Sequence, residues 1–211
     1  MIKIENVDVS GWEATIRGMR NPLNSWGKSA SRYNWNTCSF YIGPNDMALA
    51  RKLIKAGSDH RKFLRQIIVS VDITAPLFWW KEFDTYKVGT VANSCSTMHK
   101  IHSKEFTRDD FSVETCVDDE AMTVIDGVIR MLNIRRDLFN KTKDKKYWRQ
   151  MIEMLPTSYN QLRTVTMSYE NLLNIYQSRR HHKLTEWHTV CDTIETLPHF
   201  KELCLDGEEN E

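Results

Sequence analysis

The sequence predicts an α+β protein: a short β-containing N-terminal half followed by a mostly helical C-terminal half. Three observations lead there. Residues 66–74 (QIIVSVDIT) alternate, with Ile67, Val69, Val71 and Ile73 on one side and Ser70, Asp72 and Thr74 on the other, the period-two pattern of a half-buried strand. From Asp118 onward the apolar spacing changes to that of a helix. The 211 residues, 41% of them hydrophobic, are enough to bury one full core.

The elements follow in order. Ile2, Ile4, Val7 and Val9 give a short opening strand, polar and alternating rather than signal-like. The Gly-, Asn- and Ser-rich stretch 18–36 reads as loop, but Trp26, Tyr33 and Trp35 are too many aromatics for a solvated one and should line or pack on something. Pro44-Asn45-Asp46 starts a helix, with Asn45 or Asp46 as its cap. Met47, Ala50, Leu53 and Ile54 share its face, and Gly57 stops it. After the strand at 66–74, Ala75-Pro76 ends the extended run and Leu77-Phe78-Trp79-Trp80 opens a short apolar helix. Met122, Ile125, Val128, Ile129 and Leu132 form one later stripe. Tyr147, Met151, Met154 and Leu155 form a second, stopped at Pro156. Two further helices are expected at 169–178 and 184–197, separated by the cationic run Arg179-Arg180-His181-His182-Lys183. The reading is a single α+β domain over 1–205 and an acidic, disordered tail over 206–211.

Composition removes several function classes. Lys+Arg 29 against Asp+Glu 28 gives a net charge of +1, so no broad basic surface is available for direct nucleic-acid binding. No run of 18 apolar residues exists, so no membrane helix is expected. Five scattered cysteines without a CxxC read as a reduced, cytoplasmic chain without structural zinc. His181 and His182 are adjacent and point about 100° apart on a helix, so they cannot chelate together. His99 and His102 lack a third ligand, and no metal site is expected. Nucleotide and hydrolase signatures are absent. Cys95, in Asn93-Ser94-Cys95-Ser96-Thr97, is a candidate nucleophile without an identified base; small residues packing a turn are the alternative. The run 179–183 has two readings as well: a solvated helix end with cations at its C-terminus, or a contact to phosphate.

Residues 57–97 and 150–190 carry an ordered set of landmarks. Gly57 and His60 form a glycine–histidine turn. Ile73-Thr74-Ala75-Pro76-Leu77-Phe78 is a strand ending in Ala-Pro before aromatics. Lys81-Glu82, Thr85-Tyr86-Lys87, and Thr90, Asn93 and Ser96 follow, then Leu155-Pro156, Asn174, Arg179 and Glu186. In order and spacing this resembles the flavin-dependent thymidylate synthase family. There Lys81-Glu82 stands for Arg-Gln, Thr85-Tyr86-Lys87 for Arg-His-Arg, and Thr90, Asn93 and Ser96 for a Ser-x-Asn-Glu-x-Ser loop.

The resemblance implies that family's fold, with a small antiparallel sheet beside the helices. It also implies a divergent enzyme: reductive methylation of a pyrimidine deoxynucleotide such as dUMP with FAD, with NADPH and methylenetetrahydrofolate as co-substrates, in a homotetramer whose active sites form between subunits. His60, Asn174 and Lys87 would then contact flavin. Glu82, Thr85, Ser96 and Arg179 would contact the nucleotide. No catalytic side chain is assigned. The departures are specific. The triplet keeps one cation, Lys87, a point charge without the planar fork of arginine, and Tyr86 can donate and stack but is uncharged at neutral pH. A non-catalytic homologue that keeps the fold for nucleotide binding or regulation is the alternative.

Overall fold

A computed structural model describes residues 2–205. It has six strands: β1 (Lys3–Ser10), β2 (Arg32–Asn34), β3 (Ser39–Tyr41), β4 (Ile68–Pro76), β5 (Val91–Ser94) and β6 (Asn160–Ser168). The helices are α1 (Trp12–Arg20), α2 (Pro44–Lys55), α3 (Leu77–Phe83), α4 (Asp119–Thr142), α5 (Lys145–Met154), α6 (Tyr169–Arg179), α7 (Glu186–Thr196) and α8 (Phe200–Cys204). A small antiparallel sheet runs in the order β1-β4-β6-β5, and β2 and β3 form a separate hairpin. The class is α+β, as expected. The described residues pack in two compact units. One is built chiefly from Asp72–Thr85 and Ala92–Thr164, the other from Ile4–Val71, Tyr86–Val91 and the chain from Val165 onward. The acidic tail at 206–211 lies outside the described residues.

β4 is the strand read from the sequence. Its alternation is the burial pattern: Val69 is 2% exposed, Val71 6% and Ile73 3%, and Ile67 just before the strand is 0%. The polar residues between them reach toward β6. Ser70 Oγ lies 3.1 Å from Thr166 Oγ1, and Thr164 Oγ1 donates to Asp72 Oδ1 at 2.6 Å. Two residues forward on one strand is two residues back on the other, an antiparallel register. Pro76 then caps α3 without blocking it, because proline's missing donor would be idle there. In the first unit α3 buries Trp79, Trp80 and Phe83 against one another. Separately, Ile101, Phe106, Phe111, Leu132 and Met151 form a core that α4 and α5 close over.

Two expectations are corrected. The stretch 18–36 is not all loop: α1 reaches Arg20, and β2 opens at Arg32. Trp12, Ile16 and Met19 form a buried helical face. Gly11 starts this helix at φ 92°, where a Cβ would stand 2.1 Å from the Gln66 carbonyl oxygen, so no other residue fits. The cap of α2 is Gly43, neither Asn45 nor Asp46. The mostly helical C-terminal half also contains a central strand, β6, that the sequence pattern does not reveal. Its signal is masked because Gln161 is buried while Leu162 faces outward. The opening strand stands as read, and helices lie where the sequence placed them: from Leu77, from Asp118 onward, around 147–155, at 169–178 and within 184–197. Trp26 does line a cavity, and Tyr33 packs edge-on to Trp35 at 4.7 Å; Trp35 itself is 82% exposed.

Asp46 is withdrawn from capping for a different task. It is fully buried and accepts from Arg20 Nε at 2.5 Å, and both side chains are almost inaccessible. Its second oxygen takes Ser29 Oγ, Ser31 Oγ and the Ala30 and Ser31 amides. One carboxylate thereby ties the end of α1, the start of α2 and the turn before β2.

Asp46→Asn leaves Arg20 buried without its countercharge and should cost about 3–5 kcal/mol, measured by urea denaturation at neutral pH. Burial alone raises the Asp46 carboxyl pKa, but hydrogen bonds from Ser31, Arg20, Ser29 and Ala30 outweigh it, and the net position is below the ordinary carboxylate value. The stability it contributes is complete above that ordinary value and is lost as pH falls through the lowered one. Asp46→Asn should flatten this acid loss.

Candidate functional site

In the second unit α6 carries two of the candidate residues, Asn174 and Arg179. β6 ends at Ser168, whose hydroxyl accepts from the Asn171 amide at 3.3 Å while Asn171 Oδ1 accepts from the Ser168 amide at 3.2 Å. This is a reciprocal cap, with asparagine in the third helical position. The Tyr169 amide donates to the Ile67 carbonyl at 3.0 Å, which fixes where the helix leaves the sheet.

Glu170 and Asn174 are four residues apart and so share a face of α6. Both hold Arg61: its Nε donates to Glu170 Oε1 and its Nη2 to Asn174 Oδ1, each at 3.1 Å. The Glu170 side chain is 9% exposed and that of Arg61 16%. Glu170 Oε2 is buried with no hydrogen-bond partner among the described residues. Asn174 is thus brought to the residue next to His60, while His60 itself takes another direction. It lines a cavity of about 730 Å³ with Lys62, Phe63, Arg65 and Gln66, and the loop 21–23 forms part of the wall.

The other flank of α6 holds the segment 86–91. Asn171 Nδ2 donates to the Val88 carbonyl at 2.6 Å, and Arg179 Nε donates to the Tyr86 hydroxyl at 2.9 Å. The Arg179 guanidinium also lies 4.9 Å from the Trp187 ring centroid and 5.6 Å from that of Tyr86. Trp187 is fully buried, so the guanidinium has a rigid platform. Lys87, between these two anchors, is exposed. Gly89 turns the segment at φ 73°, against the Asn171 side chain.

Glu82, Thr85 and Ser96 belong to the first unit. Thr85 Oγ1 donates to the Glu82 carbonyl at 2.7 Å, a local bond that finishes α3. Ser96 Oγ accepts from the Met98 and His99 amides and lies 3.1 Å from His99 Nδ1. Cys95 is exposed, with its backbone amide bonded to the Leu162 carbonyl. Among the described residues no cluster of three His, Cys, Asp or Glu side chains can hold a metal, and no helix is long and apolar enough to cross a membrane. The run 179–183 divides: Arg180 pairs with Asp192 and Glu195 of α7, while Arg179 turns to Tyr86.

Sequence reasoning passed over Arg61, Glu170 and Asn171. The cap signal was present as Ser168-x-x-Asn171. The Arg61–Glu170 pair, 109 residues apart, leaves no local trace.

No protein-family model matches the chain, and no curated protein matches it in sequence. Solved structures do match its fold. Thymidylate synthase X from Helicobacter pylori, solved with FAD and dUMP, superposes with a TM-score of 0.70 at 15% identity over 98% of each chain. A second structure of the flavin-dependent synthase from Helicobacter pylori, complexed with FAD and dUMP, gives 0.66 at 15% identity, covering 96% of this chain and 99% of that one. The UMP/dUMP methylase PolB from Streptomyces cacaoi, bound with 5-Br dUMP, gives 0.59 at 16% identity, covering 96% and 91%. The chain has the fold of the flavin-dependent thymidylate synthases.

Tyr86→Phe keeps the ring and deletes the hydroxyl that accepts from Arg179 Nε. It should lower unfolding free energy by about 1.5–3 kcal/mol, the scale of one hydrogen bond to a charged group, as read by urea denaturation.

Proposed function

We propose that this chain is a divergent flavin-dependent thymidylate synthase, a cytoplasmic enzyme that methylates a pyrimidine deoxynucleotide such as dUMP. The observation that carries the reading is the cavity beside His60 in a fold shared along almost its whole length with proteins solved holding FAD and dUMP. The cavity suits a flavin. Phe63, Met19, Pro22 and Leu23 offer apolar surface to a ring system, Gln66 and Asn21 offer amides to its polar edge, and Lys62 and Arg65 offer cations to phosphate. When bound, a reduced flavin supplies the hydride that completes a methyl group brought in as methylene by methylenetetrahydrofolate, with NADPH as the reductant.

The protein's part is positioning and electrostatics. His60 contacts the flavin in this reading and Lys87 supplies a point charge to phosphate; Asn174, held by Arg61, does not line that cavity. Glu82, Thr85, Ser96 and Arg179 contact the nucleotide, with the Arg179 guanidinium already placed 4.9 Å from the Trp187 ring centroid. One observation favours the second reading, a non-catalytic nucleotide-binding homologue: the tyrosine that replaces the triplet histidine is already the hydrogen-bond partner of Arg179.

The purified protein should be yellow, absorbing near about 450 nm, or become so with added FAD, and should release dTMP from dUMP with methylenetetrahydrofolate and NADPH. Binding of dUMP without turnover would support the non-catalytic reading; neither flavin nor dUMP binding would refute both. Arg179→Lys should weaken dUMP by roughly 1.5–3 kcal/mol in calorimetric titration while leaving flavin affinity nearly unchanged. The exposed Leu23, Trp26, Trp35 and Tyr41 fit an assembly of identical subunits. Light scattering should therefore report about four times the 24.9 kDa chain mass rather than a monomer.

A further inference from the structure

Helix α4 of the first unit has an apolar face beyond the one its own core uses. Leu132 is fully buried, and Val128, Ile129 and Phe139 pack with it against Ile101, Phe106, Phe111 and Met151. Val124, Gly127, Met131, Ile134 and Leu138 lie on a neighbouring face, alternately three and four residues apart. That is the spacing of a coiled-coil seam. Val124 is 65% exposed and Ile134 42%, while Met131 and Leu138 are half-buried. Gly127 stands inside a 24-residue helix, where glycine is less favourable than alanine. Among the described residues nothing lies within 4 Å of where its Cβ would stand, so no contact inside the chain calls for it.

Charge along α4 is divided. Its first half holds Asp119, Glu120 and Asp126 and no lysine or arginine; its second holds Arg130, Arg135, Arg136 and Lys141 against Asp137. Laid antiparallel on a second copy, each acidic half lies along a basic half. The layers of the seam then set Met131 on the partner's Ile134 and Gly127 under the partner's Leu138, where the missing Cβ leaves room for a leucine. In the same register Arg130 flanks the seam opposite the partner's Asp137, twice by symmetry. Asp137 meets Arg136 of its own helix through Oδ1, and its side chain is 71% exposed, so a second cation can reach it. A parallel pair would instead set Arg130 against the partner's Arg135. Sliding the antiparallel pair by one heptad would set Arg130 against Arg130 or Asp137 against Asp137.

We propose that this seam is a self-association surface, on which α4 packs antiparallel against α4 of a second copy of the chain. The helix is already formed and held by its own core, so association need not order it, and a seam too short for a free peptide can register two folded copies. The seam lies in the first unit, whereas Leu23, Trp26, Trp35 and Tyr41 lie in the second. The inference rests neither on those residues nor on the proposed enzymatic activity.

The test is light scattering on the full chain, comparing the wild type with Gly127→Leu and Ile134→Asp. Gly127 borders open space and Ile134 is exposed, so circular dichroism should find both variants folded. Each should have half the wild-type mass at equal concentration, because leucine blocks the close approach and aspartate puts a charge in the central layer. Arg130→Glu and Asp137→Arg each turn two flanking attractions into repulsions and should weaken association about tenfold or more. The double variant Arg130→Glu/Asp137→Arg should restore it. A wild type that is monomeric at every concentration, or unchanged mass in either seam variant, would overturn the proposal. So would failure of the double variant to restore association, since the antiparallel register requires it. Flavin and dUMP binding are measured separately, so the enzymatic reading can fail with every mass as expected, and the reverse.

Discussion

A helix that grows out of a strand inherits its direction from the residue where the ladder stops, and here that residue is Ser168. The reciprocal bonds between Ser168 and Asn171, with the Tyr169 amide on the Ile67 carbonyl, leave α6 one starting point and one rotation about its axis. From that follow the face that carries Glu170 and Asn174 to Arg61 and the flank that carries Asn171 and Arg179 to the segment 86–91. Rotating the helix by one residue would swing every one of these side chains by about 100° and break both sets of contacts. The capping bonds are individually modest. Their weight comes from what they orient.

What the sequence made legible was whatever is written locally. β4 announces itself because its two faces have different chemistry at period two, and α4, α5 and α6 because their apolar residues recur at helical spacing. α1 was hidden by its brevity, with Gly18 near its end, and by an apolar face of three residues, Trp12, Ile16 and Met19. β6 was hidden by inversion, because a glutamine faces inward and a leucine outward. The inward Gln161 is stable there because Nε2 donates to the Cys95 carbonyl and Oε1 accepts from Arg163. Tertiary partners overrode the local code. For the candidate site, His60, Asn174 and Arg179 were visible through order and spacing, but their neighbours were not. Glu170 reads as an ordinary first-turn acid until the fold sets Arg61 beside it.

The replaced triplet is where chemistry and architecture part company. In the resemblance Thr85-Tyr86-Lys87 stands where the family pattern has two arginines and a histidine, and these residues offer no planar, bidentate charge. Tyr86 is not an idle substitute: it joins the turn to α6 through Arg179 and stacks edge-on with Trp187 at 6.0 Å between centroids. A residue that in the family pattern would carry charge has become part of the scaffold that steadies another charge. Buried pairs elsewhere follow the same logic. Arg20 and Arg61 are each fixed by a carboxylate, and each serves by holding segments in place as much as by its charge.

The pairing of β4 with β6 joins residues far apart in the chain; Ser70 and Thr166 are separated by 96 positions. During synthesis β4 is complete long before its partner exists. At about 5–20 residues per second the wait is roughly 5–20 seconds. Through that interval an Ile- and Val-rich strand has β1 on one side and an unsatisfied ladder of amides and carbonyls on the other. Its exposure ends only when the ribosome has delivered Ser168. The vulnerable period in the life of this protein therefore comes before it is finished, and slower translation or an attending chaperone changes its yield without touching a residue of the folded molecule.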